Sequence, residues 1–145
     1  MSDSTPGGDK KKRFVLDTSA LIAMIEAEEG AERVRTVIKK EETLVPFVAV
    51  LELRYITLRE RGQAEADMRY ALLKQIGTQI LWQVNESTLL TAARLKATHR
   101  LSLGDSLIAA YALEHNAVLL HKDPEYEPLR TELALEILPY KKRGG

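Results

Sequence analysis

The chain has 145 residues, with 21 lysines and arginines against 21 aspartates and glutamates, and no cysteine. That length predicts one domain able to bury roughly two-thirds of its unfolded surface. A hydrophobic share of 45% with 29% charged residues excludes wholesale disorder and collagen-like sequence, and the lack of cysteine excludes thiolate catalysis and disulfides.

Taken in chain order, residues 1–13 are polar and end in Lys10, Lys11, Lys12 and Arg13. They read as a basic tail without the apolar core of a secretory signal, which predicts a cytoplasmic address. Phe14 to Leu16 is a short apolar run suited to a buried strand and ends at Asp17. Leu21, Ile22 and Ile25 have helical spacing, and Gly30 separates them from a second helix through Val34, Val37 and Ile38. Thr43 to Val45 before Pro46 is a second strand. Val48, Leu51, Tyr55 and Leu58 form the expected core stripe of a helix that Gly62 ends. Met68, Ala71, Leu72 and Ile76 mark the next helix, and Gln79 to Val84 a strand. Helices follow through Leu89, Ala92, Ala93 and Lys96, then from Ser102 to His115. Ala117 to Leu120 is the clearest strand, Leu135 to Leu138 an edge strand, and 140–145 a second basic tail with Lys141, Lys142 and Arg143. Strands alternating with helices predict one α/β domain over 14–139 with a mainly parallel central sheet of four to five strands. No apolar run approaches the roughly 20 residues of a membrane helix, so no membrane association is expected.

In open parallel sheets ligands bind beyond the carboxyl ends of the strands, so acids there carry the most information. Asp17 follows the first strand in Asp17-Thr18-Ser19. An aspartate there commonly caps a helix, but Ser19 can serve as the cap and leave Asp17 free. Glu52 falls on or beside an apolar helix stripe, where an ionised carboxylate is costly unless paired or metal-bound; Arg54 or Arg94 would be the pairing alternatives. Asp105 shares a face with Ile108, Ala109 and Ala112 near a helix N-terminus, which favours an anion. Asp123 follows the best strand and precedes Pro124, a position that also suits a turn. Four acids at element ends or inward faces make a stronger signal together than singly.

Carboxylates without cysteine or a clustered histidine set select hard, oxygen-preferring cations, magnesium or manganese. Such ions polarise phosphoryl oxygens and activate water, which makes phosphoryl hydrolysis the natural chemistry. The chain contains neither a phosphate-binding G-x-x-x-x-G-K-[ST] loop nor a G-x-S-x-G elbow. Residues 14–140 hold 14 basic and 19 acidic side chains, so removing the four acids leaves that stretch nearly balanced. Lys96, Arg100 and Lys122 lie in or beside the acid-bearing segments and are the basic candidates for holding a substrate's phosphates, with solvated surface as the alternative reading of each.

The segments FVLDTSALIAMI (14–25), VPFVAVLELRY (45–55) and LSLGDSLIAAYALEHNAVLLHKDPEYEPL (101–129) resemble PIN-domain nucleases, in particular the small VapC-type ribonuclease toxins. The resemblance implies a three-layer α/β/α fold and a magnesium- or manganese-dependent endoribonuclease. It maps the family's catalytic metal ligands onto Asp17, Glu52, Asp105 and Asp123, and its polar position after the first acid onto Thr18 or Ser19. It further implies a homodimer and a small antitoxin that places a basic residue near the acids. One position departs from the family. His121 stands where threonine or serine is common two residues before the last acid, and it could hydrogen-bond a metal-bound water or phosphate. A non-catalytic PIN-like module binding RNA or protein, and an RNA-processing nuclease that is not a toxin, are the alternative readings.

Overall fold

The computed structural model describes residues 11–140, so the expected tails lie mostly outside the described residues. Five strands form one sheet: β1 (Arg13–Leu16), β2 (Glu42–Pro46), β3 (Gln79–Leu81), β4 (Val118–His121) and β5 (Leu135–Ile137). The first begins one residue before the expected domain boundary. Their order is β3-β2-β1-β4-β5, and every pairing is parallel. The parallel α/β sheet expected from the alternating pattern, and the three-layer α/β/α fold that the resemblance implies, are therefore present. Parallel strands need crossovers, and six helices supply them: α1 (Thr18–Ile25), α2 (Ala31–Lys40), α3 (Phe47–Arg61), α4 (Gln63–Gln75), α5 (Glu86–Thr98) and α6 (Leu103–Glu114). A 3-10 helix, Pro124–Thr131, leads from β4 toward β5.

The central strands are buried on both faces, which explains their unbroken apolar runs. Val15 faces Leu44 and Leu119, and Leu16 faces Leu120, across the register, and all of them are buried. The pairing of β1 with β4 extends past the strand end, where the Asp17 amide donates to the Leu120 carbonyl at 3.0 Å. The first acid is thereby set beside the carboxyl end of β4.

Two helices present faces other than the expected ones. On α3 the buried side chains are Val48, Ala49, Val50, Leu53 and Thr57, while Leu51, Tyr55 and Leu58 are exposed. On α4 Ala66, Arg69 and Leu73 are buried, and Met68 and Leu72 are exposed. The two helices pack on each other through small and paired groups. Arg69 reaches Glu26 at 3.1 Å and Glu65 at 3.2 Å, and such a buried cation is tolerated because it is paired. Apolar periodicity could not anticipate a core position held by an arginine. Gly62, at φ 91°, makes the sharp joint between them. The expected strand over residues 79–84 also shortens to Gln79–Leu81, leaving Trp82 and Val84 exposed.

Candidate metal centre

All four expected acids gather at the carboxyl edge of the sheet, each delivered by a different element. Asp17 ends β1 and is itself the N-cap of α1, accepting from the Ser19 amide at 3.0 Å. This corrects the expectation that Ser19 would cap the helix and leave Asp17 free. Ser19 instead uses its hydroxyl twice, donating to the same Asp17 oxygen and accepting from the Lys122 amide at 2.9 Å. That second contact ties the segment after β4 to the segment after β1. Asp17 is almost wholly buried.

Glu52 lies on α3 and, among the described residues, takes part in none of the ion pairs that would make it merely structural. Arg54 pairs with Asp67 and Arg94 with Glu132. The Glu52 carboxylate instead accepts from the Thr18 hydroxyl at 2.5 Å. It also lies directly over Gly104: a Cβ built there would come within 2.6 Å of Glu52 Oε2. Gly104 precedes Asp105, so the missing side chain lets the acids of α3 and α6 approach. Gly104→Ala is expected to leave the melting temperature within a few degrees, because the obstructing atom ends a flexible side chain. The same change should weaken manganese binding by about 10–100-fold as Glu52 is displaced, measured by calorimetry.

Asp105 sits in the first turn of α6, whose N-cap is Ser102, so its carboxylate is not consumed by capping. Burial, then the negative charge of Asp17, pushes the Asp105 carboxyl up to about 6. Asp123 and Glu52 add to that rise, so the other three acids all lie within electrostatic reach of Asp105. Glu52 is also raised, first by burial, against the lowering effect of its Thr18 hydrogen bond. Asp123 caps the 3-10 helix and accepts from the Glu125 amide at 3.0 Å.

Three residues beside the acids escaped the sequence reading. Glu125 joins Asp105 and Asp123 in a group whose carboxylate oxygens lie within 4.8 Å of one another. Tyr126 is fully buried, and its hydroxyl donates toward Asp17 at 2.6 Å and Asp105 at 2.9 Å. Glu127 comes within 3.2 Å of His121 Nε2, without the alignment of a hydrogen bond. The available signal was the run Asp123-Pro124-Glu125-Tyr126-Glu127, whose proline opens a short helix that turns successive residues back over the site.

His121 faces inward rather than toward a ligand. It is fully buried, and its Nδ1 accepts from the Asp123 amide at 3.1 Å. Burial lowers its basicity despite the surrounding acids, so it acts as a neutral prop for the Asp123 backbone. The basic candidates are less free than expected. Lys96 donates to the Leu101 carbonyl at 3.0 Å, and Lys122 donates to the Glu29 carbonyl at 2.9 Å and lies 3.3 Å from Glu28. Arg100 is exposed.

An all-oxygen donor set with a cluster this tight suits a hard divalent cation. The chain matches the PIN domain over residues 14–130 and belongs to that family, whose nucleases generally use a divalent metal. Among solved structures it is similar to VapBC2 of Rickettsia felis bound to promoter DNA, with a TM-score of 0.73 and 15% identity. That similarity covers 88% of this chain and 99% of the other. VapBC-1 of nontypeable Haemophilus influenzae aligns at 0.70 and 22% identity, covering 86% and 97%. The toxin-antitoxin system member VapBC-5 of Mycobacterium tuberculosis aligns at 0.61 and 20%, covering 88% and 98%. At such identities the likeness is one of fold. No curated protein matches the chain in sequence.

Proposed function

We propose that the chain is a VapC-type toxin, an endoribonuclease that hydrolyses RNA phosphodiester bonds with a magnesium or manganese ion. The observation that carries this reading is the convergence of Asp17, Glu52, Asp105 and Asp123 from four elements onto one edge of the sheet, with Glu125 added beside them. Asp105, Asp123 and Glu125 would hold the ion, with Asp17 and Glu52 completing the acidic wall. A bound divalent cation there supplies Lewis acidity and a lowered water pKa. Thr18 and Ser19 hold Glu52 and Asp17 in orientation, and His121 holds the Asp123 backbone. Arg100, which is exposed, is a candidate to meet an RNA phosphate, whereas Lys96 and Lys122 would first release their carbonyl partners.

An identical chain and a small antitoxin are the proposed protein partners. Two apolar surfaces support them. One is a groove of about 350 Å³ along α5 and α6, between Val84, Leu89, Ala93, Leu103 and Leu107. The other is a groove of about 440 Å³ lined by Met24, Ile25, Ile38, Leu72 and Ile76, with Arg35 and Lys39 beside them. Among the described residues no helix is long and apolar enough to cross a membrane, and a cytoplasmic address is part of the proposal.

A structured RNA incubated with the protein should be cut in manganese and left intact in EDTA; cutting that survives chelation would refute the metal-dependent reading, and absent manganese binding would point to a non-catalytic module. Binding should also weaken as pH falls through about 6, where Asp105 takes a proton in place of the cation. For stability the sign is opposite. The folded carboxyl holds its proton more tightly than the usual 3.8 of the unfolded chain, so this group favours folding most below that value and least above about 6.

A further inference from the structure

We infer that the hydroxyl of Tyr126 is a positioning group for the cation site, holding the carboxylates of Asp17 and Asp105 at one fixed separation. The inference rests on the reading of that cluster as a metal centre and adds a residue to it. Tyr126 is fully buried, and a buried tyrosine needs a partner for its hydroxyl. It has two, Asp17 Oδ1 at 2.6 Å and Asp105 Oδ1 at 2.9 Å. A phenol carries one proton, so a single donor is shared between two acids that would otherwise face each other unscreened. Burial and those same two acids push the Tyr126 hydroxyl well above the ordinary phenol value, so it stays a donor at neutral pH.

The bridge joins residues from three separate elements. Asp17 comes from the end of β1, Asp105 from α6, and Tyr126 from the 3-10 helix that starts after Asp123. The other oxygen of Asp17 is already taken by the Ser19 amide and hydroxyl, so Asp17 is clamped on both sides and cannot swing to accommodate Asp105. The tyrosine ring is itself held edge-on by His121, with centroids 5.1 Å apart at 62°. His121 in turn props the Asp123 amide. One side chain therefore references three acids to one another.

Packing alone does not require the hydroxyl, because phenylalanine would fill the same space. That separates positioning from core filling and makes Tyr126→Phe the test. Outer hydrogen-bond partners of metal ligands are typically worth about 10–100-fold in affinity. Manganese titrated calorimetrically into Tyr126→Phe should bind about 10–100-fold more weakly than into the parent chain, and the melting shift produced by manganese should shrink while the melt in EDTA stays cooperative. Affinity within twofold of the parent, or tighter, overturns the inference, as does a variant that only melts earlier in EDTA with its affinity intact. If the parent chain itself binds no manganese, the metal-centre reading fails first and the positioning role goes with it.

Discussion

Asp17→Asn is expected to lower manganese-dependent RNA cleavage by about 10³-fold or more while the chain remains folded. The substitution is nearly isosteric but removes a full negative charge from the wall of the cation site, and metal charge stabilisation is worth several kcal/mol. It also replaces an acceptor oxygen by an amide donor. Asp17 accepts from the Ser19 amide, the Ser19 hydroxyl and the Tyr126 hydroxyl, so at least one of those donors would meet an NH2 group. Leaving such a buried donor unpaired costs about 1–3 kcal/mol, part of which is offset by reduced repulsion with Asp105. The two effects are read separately, by cleavage of a structured RNA and by a thermal melt. A folded variant that retains activity within tenfold of the parent would remove Asp17 from the site.

The largest stability effect is expected at Leu120. This residue is fully buried on β4, where it faces Leu16 on one side and Glu136 on the other, and its carbonyl receives the Asp17 amide. Leu120→Ala leaves a cavity between a central strand and the helix layers, because flanking strands locked in register cannot collapse into it. Such changes cost about 2–5 kcal/mol, a fall in melting temperature on the order of 10 °C for a domain of this size. The contrasting change is Leu51→Ser. Periodicity assigns Leu51 to the core stripe of α3, but it is 58% exposed, so its loss should cost no more than about 0.5 kcal/mol. Calorimetric melts of the two variants measure both at once. Comparable losses would mean that α3 is turned the wrong way.

Those two residues also show how far the chain could be read unfolded. Val15, Leu16, Leu119 and Leu120 were legible as buried strands because an uninterrupted apolar run must find cover on both faces. The four acids were legible for a related reason: a carboxylate at a strand end or on an apolar face is expensive without a purpose. Leu51, Tyr55, Met68 and Leu72 misled, since periodicity shows that a helix has an apolar face and not which neighbour covers it. The covering of α3 and α4 depends on Ala66, Thr57 and a buried Arg69 satisfied by Glu26 and Glu65. Glu65 is one helical turn from Arg69, but Glu26 is remote in sequence.

Composition, the placement of turn residues and the alternation of apolar runs were thus enough to determine an α/β chain with a parallel sheet and a set of acids at its carboxyl edge. Local chemistry decides such things, because hydrogen-bonding geometry and burial act on neighbouring residues. What only the tertiary structure decided is how the acids meet: Asp17 clamped by Ser19 and Tyr126, Glu52 laid over Gly104, and Glu125 drawn beside Asp105 and Asp123. Each of these contacts joins elements far apart in the chain or depends on a turn's exact hand and pitch. A distance of a few ångströms between charges exists only once the sheet has aligned the ends of its strands.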